Sequence, residues 1–144
     1  MASVYNFLFP QHPEGTVYSI FLLALRIIFG MLLLLHGMEK WTHFASLSST
    51  FPDPLGIGTP FSLCLVIFAE VICSLGFMFG LLYRLVLIPM IITMAVAFFV
   101  IHGAQAFAEK ELAFIYLVVF VLMYMTGPGK YSVDRWIAAS LSGK

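Results

Sequence analysis

Charged residues are scarce in this chain of 144 residues, which holds only seven Lys and Arg and seven Asp and Glu. Charged residues make up 10% of the chain and hydrophobic residues 62%, whereas soluble proteins are about a quarter charged and about half apolar. The mean hydropathy is +1.04. This composition predicts an integral membrane protein with room for one compact bundle and short loops, and it excludes a separate nucleotide-binding domain.

Runs of basic residues are absent as well, and the formal net charge is zero. We therefore expect no nucleic-acid partner and no polybasic tail that binds anionic lipid. Residues 1–16 contain no Lys or Arg. The apolar stretch that follows them is accordingly predicted to be a retained membrane span and not a signal peptide.

Cysteines are also few, since the chain has only Cys64 and Cys73 and no C-x-x-C motif. Nine residues apart on one predicted helix, the two thiols point to opposite sides and lie about 13 Å apart along the axis, so they cannot form a disulfide within that helix. A self-contained thiol relay of the kind used by four-helix quinone-linked disulfide oxidases is therefore disfavoured. We expect both cysteines to be small buried core residues.

Four apolar segments are predicted to be membrane-spanning helices. Their expected limits are about 17–38, 61–83, 85–101 and 106–126. Residues 41–60 are rich in Pro, Gly and Ser and are predicted to form a loop outside the hydrocarbon, and a turn at Tyr83 and Arg84 should join the second and third spans. A short amphipathic tail follows the Gly-Pro-Gly at 127–129. The predicted fold class is all-α, a transmembrane four-helix antiparallel bundle forming a single domain over residues 1–144.

Basic residues in the short loops predict the orientation. With four spans, Arg84 and the three basic residues of the tail share the side of the N-terminus, while Lys40 and Lys110 lie on the other side. Four against two places both termini in the cytoplasm. The ends of the first and third spans then face outward.

Arg26 lies in the middle of the first span. A cation at that depth costs roughly 2.5 to 3.5 kcal/mol on insertion scales, so it should face other helices or a wet cavity. Glu70 is the carboxylate that the second span offers within reach of an arginine side chain. We therefore predict an Arg26–Glu70 pair, which either fixes helix register or forms a proton or ligand site at mid-membrane.

A second group of polar residues is predicted where spans one and three end and span four begins. Its members are His36, Lys40, His102, Glu109 and Glu111. Because these ends lie on one side, we expect a polar pocket that opens to the outer face above the Arg26–Glu70 pair. Histidines there would make binding sensitive to pH near neutrality. The alternative is that these side chains are simply solvated at the level of the lipid headgroups.

His36 and His102 are the candidate ligands for any metal or haem. No haem-binding motif accompanies them, so haem is disfavoured, and a divalent metal remains a weaker alternative to an organic ligand.

Several motifs together resemble the DoxX family. They are Arg26 followed by HGMEK at 36–40, the Ala-Glu pair at 69–70 with glycines before Arg84, and GPGKYSVD at 127–134. The resemblance implies a bacterial inner-membrane protein with four spans. The family takes its name from a small subunit of a thiosulfate:quinone oxidoreductase, and related members are linked to redox or thiol-stress complexes.

Three functions remain open from the sequence, and the residues do not decide whether the chain is an enzyme. The first is a small subunit of a quinone- or thiol-linked redox complex, in which His36, Lys40 and Tyr116 hydrogen-bond a quinone above the Arg26–Glu70 pair. The second is a small-solute or proton-coupled transporter, acting as a homodimer with Glu70 as the titrating group. The third is a structural anchor in membrane lipid for a partner protein.

Overall fold

The computed structural model describes residues 15–142, and every regular element within that range is a helix. The helices are α1 (Thr16–Thr42), α2 (Phe44–Leu47), α3 (Thr59–Phe79), α4 (Tyr83–Ile101), α5 (Phe107–Thr126) and α6 (Val133–Leu141). The predicted all-α class is therefore confirmed for this range. Residues 1–14 and Lys144, which entered the arguments on targeting and orientation, lie outside the described residues.

Three of these helices, α1, α3 and α4, are long and apolar enough to cross a membrane. Helix α5 has 20 residues, but three charged residues occupy positions 109–111 in its first turns. Only residues 112–126 of α5 form an uninterrupted uncharged stretch. A fourth span, and with it the four-helix transmembrane bundle, therefore stays a prediction.

A column of aromatic rings forms the centre of the fold and joins α5 to α3 and α4. Tyr116 stacks on Phe120 with ring centroids 5.6 Å apart, and Phe120 meets the ring of Phe77 edge to face at 5.4 Å. Phe77 in turn stacks on Tyr83 at 5.6 Å. All four side chains are buried, so this column supplies both apolar burial and favourable ring geometry to the core.

The tight turn between α3 and α4 lies just before the predicted position at residues 83–84. Gly80 has a φ of +68°, and its N–H donates to the carbonyl of Phe77 at 3.2 Å. The N–H of Leu81 donates to the carbonyl of Gly76 at 2.8 Å. This pair of bonds is the Schellman arrangement, which ends a helix at a left-handed glycine. The second span therefore ends at position 79 and not at 83, and residues 83–84 begin α4.

Two π-helical turns interrupt the regular helices. One occupies Phe68–Ile72 within α3 and the other occupies Ala97–Ile101 at the end of α4. A π turn inserts one extra residue and rotates the side chains that follow it, and such turns are frequent at functional sites. Glu70 lies inside the first of them.

Helix α6 is the predicted short amphipathic tail. Its Asp134 and Ala138 are buried against the protein, whereas Trp136 and Leu141 are exposed. The hydroxyl of Ser132 accepts a hydrogen bond from the N–H of Arg135 at 3.2 Å and so caps the start of the helix.

Candidate functional site

Arg26 is fully buried and donates hydrogen bonds to four backbone carbonyls. Its Nε donates to Phe77 at 3.0 Å and its Nη2 to Met78 at 2.7 Å, both in the last turn of α3. Its Nη1 donates to Pro128 at 2.9 Å and to Tyr131 at 2.7 Å. The carbonyls of a last helical turn have no partners within the helix, and they attract a cation. Arg26 thus joins α1 to the end of α3 and to the segment before α6.

The predicted Arg26–Glu70 pair is wrong. Glu70 instead accepts a hydrogen bond from Lys40, with 2.6 Å between Nζ and Oε2. The register between α1 and α3 explains the error. Gly30 lies against Met78 and Gly37 lies against Glu70, so the first turns of α1 extend past the end of α3. Arg26 is therefore level with that end, and Glu70 lies about 16 Å further along α1.

Asp134 closes the same end of the fold. Its Oδ1 accepts from the N–H of Leu82 at 2.7 Å and its Oδ2 from the N–H of Tyr83 at 2.8 Å, while its own N–H donates to the carbonyl of Gly80 at 2.9 Å. These bonds satisfy the first N–H groups of α4, which lack partners within the helix. Burial raises the pKa of Asp134, although both N–H groups and Arg26 oppose that rise. We call this region, residues 77–83 and 127–134 around Arg26, the Arg26 end.

The opposite end of the fold contains a cavity of about 440 Å³, a size typical of ligand pockets. Four helices and the loop at 51–57 form its wall. Six of the eight predicted site residues lie on that wall: His36, Lys40, Glu70, His102, Glu109 and Tyr116. Arg26 and Glu111 do not. The expectation that Arg26 forms the floor is therefore wrong, because Arg26 belongs to the other end, and we call this region the cavity end.

The polar groups of the cavity wall surround the Lys40–Glu70 pair. The side chain of Glu70 is buried and that of Lys40 is a quarter exposed. The ring of His36 meets the ring of Tyr116 edge to face, with centroids 6.3 Å apart. His102 lies where α4 ends, and its Nδ1 is 2.6 Å from the Oε1 of Gln105.

Two polar atoms on this wall retain unused hydrogen-bonding capacity. Within residues 15–142 neither the Oε1 of Glu70 nor the hydroxyl of Tyr116 takes part in a protein hydrogen bond, although both residues are buried. Neither atom is fully enclosed by protein, so water or a ligand in the cavity is able to reach it. A ligand in the cavity would meet a carboxylate oxygen that can accept a hydrogen bond and a phenol that can donate or accept one.

Gly37 allows α1 to approach the π-helical turn that carries Glu70. A Cβ at Gly37 would come within 2.7 Å of the Cβ of Glu70 and 2.9 Å of its backbone carbonyl carbon. Only glycine fits such a contact. One turn further along α1, Lys40 is then in position to reach the carboxylate.

The loop at 51–57 forms a wall of the cavity that sequence reasoning missed. Asp53 organises this loop, accepting from the Ser62 hydroxyl at 2.8 Å and from the N–H groups of Gly58 at 2.8 Å and Ile57 at 3.1 Å. The hydrogen bond from Ser62, followed by that from Gly58, lowers the pKa of Asp53. The sequence signal was the Pro-Asp-Pro motif followed by Gly56 and Gly58, both of which have positive φ.

The cysteines and histidines show no metal or thiol cluster among the described residues. Cys64 and Cys73 are both free, as predicted, but Cys64 is exposed on the outer face of α3 and is not a core residue. No group of three or more His, Cys, Asp and Glu side chains suited to a metal ion occurs within 15–142. His36 and His102 share the cavity wall without a third ligand of that kind.

The family model for DoxX matches residues 21–103, more than half of the chain. The chain belongs to the DoxX family. The matched region carries Lys40, Glu70 and the cavity walls supplied by α1, α3 and α4, whereas GPGKYSVD at 127–134 lies outside it. An uncharacterized protein from Haemophilus influenzae is 27% identical over 132 residues, which cover 86% of this chain and 87% of the relative. No solved structure gives a significant match.

Proposed function

We propose that this DoxX-family protein binds a quinone in the cavity and acts as a small membrane subunit of a redox complex. The observation that carries the proposal is the Lys40–Glu70 pair on the wall of an otherwise mostly apolar cavity of about 440 Å³. Quinone sites need apolar walls with a few well-placed polar groups. The cavity end offers that combination.

The polar groups of the cavity match both redox forms of a quinone ring. The oxidised ring presents carbonyl oxygens, which Lys40, His36 and Tyr116 are able to bind as donors. The reduced ring presents hydroxyl groups, for which the Oε1 of Glu70 is the unused acceptor. Binding and orienting the ring would be the work of these side chains, and the partner subunit would carry the remaining chemistry.

We also propose that α5 is the fourth membrane span. Helix α5 packs on α4 and contributes Tyr116 and Phe120 to the central aromatic column. Its apolar residues 112–126 would cover about 22 Å, and the charges at 109–111 would lie among the headgroups. With four spans, both termini face the cytoplasm and the cavity opens toward the outer face of the bacterial inner membrane.

The Arg26 end supports binding in preference to transport. A transporter needs a path to the far side of the membrane. On the far side, Arg26 and Asp134 are hydrogen-bonded to backbone groups. The aromatic column from Tyr116 to Tyr83 fills the centre of the fold between the two ends. The third alternative, a structural anchor, requires no cavity with unpartnered polar atoms.

The test is to purify the protein in mild detergent and identify any bound quinone by mass spectrometry, then titrate the quinone-free protein with a decyl benzoquinone in its reduced, hydroquinone form. Glu70→Gln should weaken binding about tenfold, the effect of losing one charged hydrogen-bond partner. The matched control is Glu39→Gln, because Glu39 is exposed on α1 and does not line the cavity.

The absence of bound quinone together with no binding in the titration would refute the quinone proposal. In that case, pH-dependent flux of a solute in liposomes would establish the transporter alternative. A stably co-purifying partner without flux would establish the anchor.

A further inference from the structure

One wall of the cavity is built from side chains that also face outward. Leu65 on α3 and Ile92 on α4 both line the cavity, yet they are 43% and 56% exposed. Each lies well inside a helix that is long and apolar enough to cross a membrane. Their outward surfaces therefore face lipid chains and not water.

Helices α3 and α4 are close at one end and separate toward the cavity. Near their turn, a Cβ at Gly76 would come within 2.9 Å of the side chain of Val86. Further from the turn, Leu65 of α3 and Ile92 of α4 instead border the cavity. The contacts of α3 with α4 are made mainly by residues 68–79, and residues 59–67 contact α4 little.

We propose that the gap between Leu65 and Ile92 is a lateral opening through which a ligand with an apolar chain enters from the bilayer. The inference rests on the proposed function and adds the class of ligand, a ring with a long hydrocarbon chain. The ring lies beside Glu70, and the chain leaves between α3 and α4 into lipid. An apolar chain is stable on that route because Leu65, Val66, Ile92 and Val96 line it with apolar surface.

The border at His102 and Glu109 does not suit a hydrocarbon chain. These residues line the cavity where α4 ends and α5 begins, and Glu109 is exposed. A chain that left by this border would meet charged groups and water. Bulky substitutions at the rim of the α3–α4 gap should therefore lower the affinity for a ligand with a long chain and leave the affinity for the same ring without that chain unchanged.

The experiment compares two probes on the full-length protein in nanodiscs, a benzoquinone with a decyl chain and the same ring with a methyl group in place of the chain. Ile92→Trp should weaken binding of the decyl compound by about tenfold or more, the effect of overpacking a filled gap, and should leave the methyl compound unchanged. Leu65→Trp narrows the gap from the other rim and should act in the same way. The matched control is Ile88→Trp, one turn away on α4, exposed and not part of the cavity wall.

Equal affinity of Ile92→Trp and Ile88→Trp for the decyl compound would overturn the lateral opening. Loss of both probes together in Ile92→Trp and Leu65→Trp would also overturn it, because the new side chains would then occupy the ring site. Failure of the unmodified protein to bind either probe would instead refute the proposed function. Thermal unfolding of each variant identifies any that fails to fold, and the other rim variant then decides.

Discussion

The two ends of this protein each bury charged side chains, but they use them differently. At the Arg26 end, one cation donates to four carbonyl oxygens and Asp134 accepts from two N–H groups. At the cavity end, Lys40 and Glu70 bind each other, and the Oε1 of Glu70 has no protein partner among the described residues. At the Arg26 end each guanidinium nitrogen and both carboxylate oxygens of Asp134 have a hydrogen bond within the protein, whereas at the cavity end one carboxylate oxygen of Glu70 has none among the described residues.

This difference separates an architectural charge from a candidate functional one. A buried charge is costly unless its hydrogen bonds are satisfied. Arg26 is satisfied by backbone groups from two parts of the chain, so its role is to hold α1 and those two parts together. Glu70 has one oxygen without a protein hydrogen bond beside a cavity of about 440 Å³. A ligand with a hydrogen-bond donor would supply that missing bond.

The largest expected effect is on Arg26. Arg26→Leu removes every donor to the four carbonyls, and we expect the protein to lose about 3 to 5 kcal/mol of stability. Glu70→Gln should cost only about 1 to 2 kcal/mol, because Lys40 is partly exposed and keeps an amide oxygen as its acceptor. Thermal and chemical unfolding in detergent measures both values.

Arg26→Lys provides the control for that comparison. Lysine keeps the charge but has a single nitrogen, which cannot bridge the end of α3 and residues 128–131 as the guanidinium does. It should recover only part of the lost stability. If Arg26→Leu and Glu70→Gln proved equally destabilising, the distinction between the two ends would not hold.

The sequence predicted the cavity residues better than the buried pair. His36, Lys40, His102 and Glu109 were assigned to one pocket from topology alone, because antiparallel apolar helices bring alternate span ends to the same side. That argument depends only on hydropathy and loop length, which the sequence displays directly. An error of one or two residues in a predicted helix boundary does not change the side on which that helix ends.

The partners of Arg26 were not predictable in the same way. Four carbonyl oxygens leave no side-chain signature, and the register between α1 and α3 depends on the contacts of Gly30 and Gly37. The π-helical turn at Phe68–Ile72 also rotates the side chains that follow it, relative to their positions in a regular helix of 3.6 residues per turn. Pairing charges by sequence depth therefore failed, although the expectation that Arg26 faces protein was confirmed.

The second prediction concerns how closely the helices approach at the cavity end. Gly37→Ala would place a Cβ 2.7 Å from the Cβ of Glu70 and 2.9 Å from its backbone carbon. Because backbone cannot rotate away, we expect a cost of about 1 to 3 kcal/mol and a displaced Lys40–Glu70 pair. Unfolding measures the cost, and quinone affinity reports the displacement.

Gly30→Ala serves as the comparison for Gly37→Ala. Gly30 faces mainly the flexible side chain of Met78, which is able to adopt another rotamer. We expect a smaller loss of stability and no change in quinone affinity. A fall in affinity for Gly30→Ala that matched that of Gly37→Ala would show that the two ends are coupled through α1.

The smallest effect should appear on changing the pH, and it should have opposite signs at the two ends. The pKa of Asp53 is lowered in the folded protein by the hydrogen bonds from Ser62 and Gly58. Its stabilising contribution is therefore present above the ordinary aspartate pKa of about 3.9 and is lost as the pH falls through the lower folded value. The pKa of Asp134 is raised by burial. Its contribution is present below the ordinary value and is lost as the pH rises through the higher folded value.

Acidification should consequently loosen the loop at the cavity end while the Arg26 end becomes no less stable. Hydrogen exchange between about pH 3 and pH 6, corrected for the intrinsic pH dependence of exchange, would follow the amides of Ile57 and Gly58 against those of Leu82 and Tyr83. Asp53→Asn should remove the pH dependence at 57–58 and leave 82–83 unchanged, since those amides bind Asp134. If both pairs of amides lost protection together as the pH fell, the loop and the Arg26 end would open as one unit, and the cavity could not respond to pH independently of the rest of the fold.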